Sequence, residues 1–421
     1  MRFDPKTAGL LLIAGGVLTA GAYVLDAKRD QREGYTHATP KAAPAPASSP
    51  ASHPKLPASH PQVAESAPPA DAKAREGKVQ MDPARAFTHF RVGNNSVRAI
   101  YADGSVIWVG TSGGVVRYDT ASHEFKTYDA NNGLLSNGVF HLGKLRGKIA
   151  VGTYGGGLSL FDQKAQKWEH YSIPEGLGDA FVYDVLEASN GDVWIATGSG
   201  LNRVRAGALK ERAKWDLHTV ENTAGGLPGD RVFALAQGKD GSVWCATGGG
   251  LASFQNGKWS NWTRAKGLGG PRGAVGGSVT SGGAPSHPSP QQAKPAHEGS
   301  ETGAEQDGHI TALKVGEDGE VWAGIRGAGL ARFDGKAWMK YTVAEGLPSN
   351  QISTLHIDRS GRLWVGTDKG LALLTNGKFQ VMTTAHGLLG ENVYSVTTTQ
   401  DGGLWVGSFG GVAHIRQPAV N

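Results

Sequence analysis

Residues 352–388 read ISTLHIDRSGRLWVGTDKGLALLTNGKFQVMTTAHGL, and this stretch contains the pattern that decides the fold. Its centre is an apolar residue and a tryptophan, followed by Gly-Thr and a glycine-rich turn. The pattern occurs seven times, as IWVGTSGGV from Ile107, IAVGTYGGGL from Ile149, VWIATGSGL from Val193, VWCATGGGL from Val243, VWAGIRGAGL from Val321, LWVGTDKGL from Leu363 and LWVGSFGGV from Leu404. The aligned positions are Trp108, Ala150, Trp194, Trp244, Trp322, Trp364 and Trp405, at intervals of 42, 44, 50, 78, 42 and 41 residues. This period is typical of β-propeller blades, and we number the copies repeats 1 to 7.

Within each repeat the sequence predicts four short strands joined as an antiparallel meander. The first strand, Ile352 to Ile357, alternates in polarity, and the second carries the tryptophan. A glycine-rich turn then leads to the third strand, LALLT. Hairpin signals after the first strand recur as Asn190-Gly191, Asp240-Gly241, Asp318-Gly319 and Asp401-Gly402, and the fourth strand carries the pairs Phe125/Tyr128, Trp168/Tyr171, Trp259/Trp262 and Trp338/Tyr341.

The two ends of the array predict that it closes into a ring. Repeat 7 stops at Ile415 after three strands, whereas Phe87 to Phe90 form a fourth-strand motif in front of repeat 1. Pairing these segments completes the last blade and removes the open sheet edges that invite aggregation. The predicted fold class is therefore all-β, a seven-bladed β-propeller closed by an N-terminal outer strand, with an N-terminal hydrophobic helix.

The repeated tryptophan is interpreted as a packing residue. One large aromatic side chain per blade can fill the wedge between neighbouring sheets, while Gly366 and its equivalents lie where space is tight. A stacking platform for sugars or bases is the alternative. Repeat 2 has Ala150 at this position, which predicts looser packing there.

Three segments outside the repeats have a different composition. Residues 8–25, AGLLLIAGGVLTAGAYVL, are uncharged and form a marginal membrane span, and Ala20-Gly21-Ala22 matches a signal-peptidase site. A buried soluble helix is the alternative for this segment. Residues 33–80 are rich in Ala, Pro and Ser, and residues 269–308 contain few large apolar side chains, so neither can offset the entropy of ordering.

The predicted organisation is a signal anchor or signal peptide at 1–32, a disordered linker at 33–80, and a propeller at 81–421 with a disordered insertion at 269–308. This arrangement predicts a propeller in the periplasm. It is either tethered to a bacterial inner membrane through residues 8–25 or secreted to the periplasm after cleavage behind Ala22.

Two stretches carry a resemblance to a known family. GLPSNQISTLHIDRSGRLWVGTDKGL and GLPGDRVFALAQGKDGSVWCATGGGL resemble the two-component regulator propeller repeat, and the resemblance extends over residues 87–416. In that family such propellers usually form the extracytoplasmic sensor region of hybrid histidine kinases and commonly read glycans. The resemblance therefore implies sensing of a ligand. The sequence contains no kinase core and no receiver domain, so phosphotransfer is not implied.

Candidate binding residues lie at one end of the predicted blades. In a four-stranded meander, the turns between second and third strands lie at the same end as the crossovers to the next blade. Two arginines, an Asp, an Asn and aromatic faces there suit an anionic or sugar-like ligand, although ordinary solvated turn residues are the alternative. The turn residues are Ser112, Tyr154, Arg326, Asp368 and Phe409, and the residues at the starts of first strands are Phe181, Arg231, His309, Gln351 and Asn392.

Composition and motifs exclude several classes of protein. The chain has 42 basic and 37 acidic residues, and a net charge of +5 is too small to indicate nucleic-acid binding. Its one cysteine, Cys245, forms neither a disulfide framework nor a zinc cluster. No G-x-S-x-G, H-E-x-x-H or phosphate-loop motif is present, and His287, His297 and His309 lack metal-ligand spacing. We expect no cofactor, no metal and no catalytic residue, and His141, His356 and His414 fall inside predicted strands.

Three functions remain open from the sequence. The first is a membrane-tethered extracytoplasmic propeller that binds a glycan-like ligand or a protein partner, as a sensory or signalling adaptor. The second is a propeller lyase or hydrolase that acts on a glycan or small molecule, centred on a residue such as His309 or Arg231. The third is a structural scaffold of an envelope complex.

Overall fold

In the computed structural model, the described residues are 75–79, 86–263, 266, 268 and 309–416. They belong to the second of two units, Pro68–Asn421, whereas the first, Met1–Ala67, lies outside them. The predicted helix at 8–25 and the insertion at 269–308 also lie outside the described residues. Within the described residues, no helix has the length and apolar character that a membrane crossing requires.

The described chain is built from antiparallel strands, with a few single turns of 3₁₀ helix. Repeats 2 to 6 each form one four-stranded sheet in which consecutive strands are neighbours. Repeat 2 has β6 (Val139–Leu145), β7 (Lys148–Thr153), β8 (Leu158–Asp162) and β9 (Lys167–Tyr171). Repeat 3 has β10 (Val182–Glu187), β11 (Val193–Thr197), β12 (Gly200–Val204) and β13 (Trp215–His218). Repeat 4 has β14 (Val232–Gln237), β15 (Val243–Thr247), β16 (Gly250–Gln255) and β17 (Lys258–Trp262).

The next two repeats follow the same plan. Repeat 5 has β18 (Ile310–Val315), β19 (Val321–Ile325), β20 (Gly329–Phe333) and β21 (Trp338–Tyr341). Repeat 6 has β22 (Ile352–Ile357), β23 (Leu363–Thr367), β24 (Gly370–Thr375) and β25 (Lys378–Met382). The 3₁₀ turns are Arg205–Gly207, Arg212–Lys214, Val343–Glu345 and Thr384–His386.

Repeats 1 and 7 share a seven-stranded sheet because one strand serves both. This strand, β2 (Phe87–Asp103), pairs through its first part with β27 (Leu404–Ile415) of repeat 7 and through its second part with β3 (Val106–Thr111) of repeat 1. The register places Phe87 opposite Ile415 and Phe90 opposite Val412, so the pairing predicted from the ends of the array is present. The remaining strands of this sheet are β1 (Glu76–Lys78), β4 (Gly114–Asp119), β5 (Glu124–Tyr128) and β26 (Ser395–Thr398).

The first strands of the sheets make a closed cycle of contacts. Going from one repeat to the next, β2 contacts β6, and the series continues through β10, β14, β18, β22 and β26. The last of these, β26, contacts β2 again. The first strands therefore form the inner wall of a ring, with the fourth strands on its outside.

The linker predicted at 33–80 needs one correction at its C-terminal end. Glu76–Lys78 form β1, which pairs antiparallel with β5 and adds a strand to the outer edge of repeat 1. The strand is short and polar, so no pattern of apolar residues marks it in the sequence. It is held by backbone pairing and by an ion pair of 2.9 Å between Lys126 Nζ and Glu76 Oε1.

The repeated tryptophans are buried between sheets, as predicted. Trp108 lies 6.1 Å from Tyr128 of its own fourth strand and 5.9 Å from Phe161 of the next repeat, measured between ring centroids. Trp405 makes the equivalent contacts across the junction of repeats 7 and 1, with Phe90 at 5.3 Å and Tyr118 at 6.0 Å. At full burial, each such side chain contributes a large part of the contact between two neighbouring sheets.

A close approach between a glycine and an aromatic ring recurs at these junctions. The crossover residue Gly176 has φ +139°, and a Cβ there would lie 2.7 Å from Cδ2 of Trp215 in the fourth strand of repeat 3. Gly366 on a second strand is similarly enclosed, because a Cβ would lie 2.5 Å from Cγ2 of Thr354. A larger residue at either position would push two neighbouring segments apart.

Trp364→Ala is expected to lower the free energy of unfolding by about 3–5 kcal/mol, as truncation of a large core side chain does. Trp364 is 0% exposed, and its Nε1 donates to Asp358 Oδ2 at 3.0 Å. Urea unfolding measures the loss, and Phe409→Ala, at a 45% exposed position, is the control. A loss below about 1 kcal/mol would contradict the packing role.

The buried His356 predicts a loss of stability at mildly acidic pH. Burial, with a smaller contribution from the charge of Lys314, lowers the pKa of His356 from 6.5 to about 4, and Nε2 lies 2.9 Å from Thr398 Oγ1. Between pH 6.5 and about 4 the unfolded chain therefore binds a proton that the folded chain does not, so stability falls as the pH falls. The expected loss from pH 7.5 to pH 5 is about 1–2 kcal/mol for this residue.

Urea unfolding at the two pH values checks this expectation. His356→Gln keeps a hydrogen-bonding group but cannot be protonated, so its pH dependence should be smaller by that amount. The control His386→Gln changes an exposed histidine and should behave as the parent protein. Identical pH dependence in the parent and His356→Gln would refute the assignment.

Candidate functional site

The first strands of repeats 1 to 6 each carry a β-bulge, next to the turn between second and third strands. The register shifts between Val139 and His141 in repeat 2 and between Val182 and Asp184 in repeat 3. A bulge turns its extra residue out of the regular alternation of the strand. The bulge residues of repeats 1 to 6 are Arg98, Phe140, Tyr183, Phe233, Thr311 and Ser353.

On one side of the ring the bulge residues and their neighbours form a continuous set of ring contacts. We name as the aromatic arc the residues Phe140, Tyr154, Phe181, Tyr183, Phe233 and His309. Tyr154 lies 4.6 Å from Phe181 and 5.8 Å from Phe140, measured between centroids. Tyr183 lies 5.0 Å from Phe140 and 5.5 Å from Phe233, and Phe233 lies 6.0 Å from the ring of His309.

The arc presents π faces and one positive charge to solvent. Tyr154 is 52% exposed, and the other arc residues are partly exposed. Arg98 of repeat 1 places its guanidinium carbon 5.6 Å from the centroid of Phe140, a cation–π contact. Such a surface can stack the faces of sugar rings or planar groups and attract an anionic substituent.

The other side of the ring uses its bulge hydroxyls to join repeats. Thr311 Oγ1 donates to the Ile352 carbonyl of the next repeat at 2.7 Å, and Ser353 Oγ donates to the Val393 carbonyl. These hydroxyls are satisfied by backbone oxygens. The two halves of the ring opening therefore differ, with aromatic faces on one side and bonded hydroxyls on the other.

A contact between a histidine and a carboxylate on neighbouring first strands follows directly after the bulges of the arc. His141 Nδ1 lies 2.8 Å from Asp184 Oδ1, and Asp184 Oδ2 also accepts from the Leu235 backbone N–H at 2.8 Å. Burial alone would raise the pKa of Asp184, but its bonds to His141 and Leu235 and the charge of Lys314 hold that pKa below its ordinary value. The carboxylate is thus ionised at neutral pH and links repeats 2, 3 and 4.

The structure brings three of the predicted site residues into the arc. Tyr154 and Phe181 are in contact, and His309 lies at the other end, where its carbonyl accepts from the backbone N–H of Arg326 at 3.0 Å. The Arg231 carbonyl accepts from Gly248 N–H beside them at 3.0 Å. The exposed residues Ser112, Gln351, Asp368, Asn392 and Phe409 show no side-chain contact with the arc within the described residues.

Sequence reasoning missed Arg98, Phe140, Tyr183 and Phe233. All four are second residues of first strands, where alternation alone suggests ordinary strand positions. Their common signal is a polar or aromatic residue directly after the buried Val that begins each strand. Only the bulge explains why these side chains gather at the ring opening.

Metal ligation has no visible site in the described part of the chain. No group of three or more His, Cys, Asp and Glu residues is close enough there to hold a metal ion. Cys245 is buried, and burial raises the pKa of its thiol, so it is held as an unreactive core residue.

Four segments of the chain match the repeat pattern of the two component regulator propeller family. The family pattern matches residues 176–199, 226–249, 346–369 and 387–410. Each match starts in a crossover and ends in the turn after the second strand of the following repeat. Phe181, Tyr183 and Phe233 of the arc lie within these segments, whereas Phe140, Tyr154 and His309 lie outside them. Comparison with curated protein sequences gives no match.

Solved structures show the same fold at low sequence identity. The extracellular domain of the hybrid two component system BT3049 from B. thetaiotaomicron has a TM-score of 0.58 and 14% identity, over 79% of this chain and 42% of that one. Catalytically inactive virginiamycin B lyase from Staphylococcus aureus with quinupristin has a TM-score of 0.55 and 12% identity, over 78% and 98%. YCF48 bound to D1 peptide has a TM-score of 0.51 and 10% identity, over 80% and 98%.

These likenesses establish an all-β propeller fold and no more. The chain spans less than half the length of the extracellular domain of BT3049. The fold is shared by proteins of unrelated activity, so function has to be argued from the site.

Proposed function

We propose that this protein is a ligand-binding propeller that works outside the cytoplasm as a sensory or signalling adaptor, with the aromatic arc as its binding surface. Its ligand is a sugar-like or anionic small molecule. The observation that carries the proposal is the unbroken series of ring contacts from Tyr154 to His309, which lies at one side of the ring opening.

The geometry of the ring opening supports this ligand class. Aromatic faces contact the apolar faces of sugar rings, and Arg98 can pair with a carboxylate or sulfate in bidentate fashion. Arg231 and Arg326 are exposed near the His309 end of the arc. In the proposal, Gln351, Asp368, Asn392 and Phe409 are outer contacts for a ligand large enough to cross the opening.

The proposal includes seven blades and a membrane tether. Five four-stranded sheets and the shared sheet of repeats 1 and 7 support seven blades. The apolar segment at 8–25 supports anchoring to a bacterial inner membrane, or secretion to the periplasm if the chain is cleaved after Ala22. The extracellular domain of BT3049 supports an extracytoplasmic location for this chain. No nucleic acid is part of the proposed function.

A second function, that of a lyase or hydrolase, is favoured by the contact between His141 and Asp184 next to the arc. The Asp184 carboxylate orients the His141 ring through Nδ1, which is how a carboxylate commonly positions a histidine for proton transfer at Nε2. A ligand stacked on Phe140 would lie one residue away along the strand. Virginiamycin B lyase shares the fold. In this alternative His141 replaces His309 and Arg231 as the proposed centre.

The test is retention of a small molecule by the native protein. Full-length protein is isolated from membranes in mild detergent, and bound molecules are identified by mass spectrometry. Tyr154→Ala removes an exposed ring and should leave stability within about 0.5 kcal/mol of the parent. It should reduce occupancy about fivefold or more, because a stacking contact contributes about 1 kcal/mol or more.

Val381→Ala, which shortens an exposed apolar side chain on the outer strand of repeat 6, is the control and should retain the ligand. Equal occupancy in the parent and Tyr154→Ala would contradict the proposed surface. Turnover of the retained molecule that is lost in His141→Ala, with binding kept, would establish the enzymatic alternative instead.

A further inference from the structure

The junction between repeats 2 and 3 is built differently from its neighbours. Ala150 replaces the packing tryptophan, and the facing third-strand residue is Val204, where Phe161 and Phe254 occupy the equivalent places. In the same repeat 3, residues 205–214 connect the third and fourth strands, whereas Asn256-Gly257 make this connection in repeat 4. We name residues 205–214 the platform.

The platform fills the space that the missing tryptophan leaves. Leu209 is 7% exposed and shares one core cluster with Ala150, Val204 and Trp215. Trp215 Nε1 donates to the Leu209 carbonyl at 3.0 Å. Ala150 itself is 1% exposed, so solvent is excluded from this junction although the tryptophan is missing. The side chain that joins it in the core, Leu209, comes from the insertion in repeat 3.

Polar contacts hold the base of the platform. Asp192 Oδ2 lies 2.6 Å from Arg203 Nη2, and Asp192 Oδ1 accepts from the Ala206 backbone N–H at 2.8 Å. At the far end, Arg205 Nη2 donates to the Ala213 carbonyl at 2.8 Å, and its Nε lies 3.0 Å from Asp216 Oδ2. An insertion fixed at both ends and by a buried leucine is a preformed surface rather than a loose loop.

A groove runs between the platform and the outer strand of repeat 2. It consists of two adjoining cavities of about 440 Å³ and 230 Å³, both lined by Glu169, Tyr171, Leu209 and Lys210. Leu160 adds to the apolar floor of the smaller cavity. The groove is open along its length, which suits an extended segment better than a compact small molecule.

Among the described residues, four cations and three carboxylates line the two cavities over this apolar floor, and Arg146 Nε also lies 3.9 Å from Glu187 Oε1. Lys148 Nζ lies 2.8 Å and Lys210 Nζ 3.6 Å from the same oxygen of Glu169, Oε1. The hydrogen bond from Lys148 holds the pKa of Glu169 below its ordinary value. Two ammonium groups thus share one carboxylate oxygen, and Arg146 and Arg212 extend the positive charge along the lining of the groove.

We propose that this groove binds an acidic and partly apolar peptide segment of a partner protein. The apolar floor of Leu160, Tyr171 and Leu209 takes apolar side chains, and the cations of the wall pair with acidic ones. Glu175 and Glu211 also line the groove, and they would repel the uninterrupted phosphates of a nucleic acid or a lipid surface. The acidic side chains of a peptide are spaced along its backbone, so they can lie next to the cations without lying next to Glu175 and Glu211.

The groove and the arc are separate sites. The platform and the Arg146 turn are connections from third to fourth and from first to second strands, so they lie at the opposite end of the strands from the turns that build the arc. The groove itself runs along the outer strand of repeat 2 and reaches Glu175 in the crossover to repeat 3, whereas the arc lies beside the inner strands. The protein can therefore hold a ligand at the ring opening and a protein partner at the outer edge of repeats 2 and 3. This inference does not depend on the arc ligand.

The test uses the full-length protein and a fluorescent peptide made of Glu-Leu-Glu-Gly repeats, with binding followed by anisotropy. Lys210→Glu combined with Arg212→Glu reverses two exposed charges and should weaken peptide binding about tenfold or more. Lys258→Glu combined with Lys378→Glu reverses two exposed lysines on other fourth strands and should change the affinity less than about twofold. Thermal unfolding confirms that both variants fold as the parent does.

Two further titrations distinguish peptide binding from the binding of other anionic surfaces. Anionic phosphatidylserine vesicles and a DNA duplex are titrated with the same three proteins. The proposal is supported if the platform variant selectively loses the peptide. It is overturned if both variants lose the peptide equally, if neither does, or if the platform variant affects only vesicles or DNA.

Discussion

Pairing of Phe87–Arg91 with the last strand is the interaction on which the other contacts depend, because it turns a row of sheets with two open ends into a cycle. The paired residues are more than three hundred positions apart in the chain. The same strand continues without interruption into the inner wall of repeat 1, where it pairs with β3. Ser395 Oγ adds a second link across this junction by donating to the Val97 carbonyl at 2.9 Å. The same strand therefore both closes the ring and forms part of its inner wall.

In the closed ring, side chains fill each junction between neighbouring repeats. The identity of these side chains decides whether a surface for a ligand or a partner remains beside the junction. Most junctions use an aromatic residue on the second strand, such as Trp108 against Phe161, and these contacts leave little room for a ligand. The junction at Ala150 instead takes Leu209 from an insertion, and the groove lies beside it. At the ring opening, bulges move Phe140 and its equivalents out of the packing and into solvent contact. The groove and the aromatic arc therefore both lie where the structure differs from the common repeat pattern, at Ala150 in one case and at the bulges in the other.

The sequence was sufficient for the antiparallel sheets and the closing strand pair because its signals are local and repeated. Trp364 and the turn glycines recur at one spacing, and the unmatched strand at Phe87 predicted the closing pair. The site was predicted only in part. Tyr154, Phe181 and His309 follow from knowing which turns share an end, but Phe140 reaches the opening only because of a bulge, and a bulge leaves no periodic signal. The short strand at Glu76–Lys78 and the pairing of Ala150 with Leu209 depend on contacts between segments far apart in sequence, which no local pattern reports.

Native-state hydrogen exchange at the closing strands tests the central claim most directly, since the claim is that ring closure and global stability are the same property. The amides of Phe90 and Val412 report the closing pair, and the amide of Val365 reports the centre of repeat 6. The account predicts that all three exchange with the same free energy of opening, equal to that of global unfolding. The contrary result is a free energy of opening at Phe90 and Val412 that is several kcal/mol lower than at Val365. It would show that the remaining sheets stay folded when the closing pair opens, and it would contradict the account.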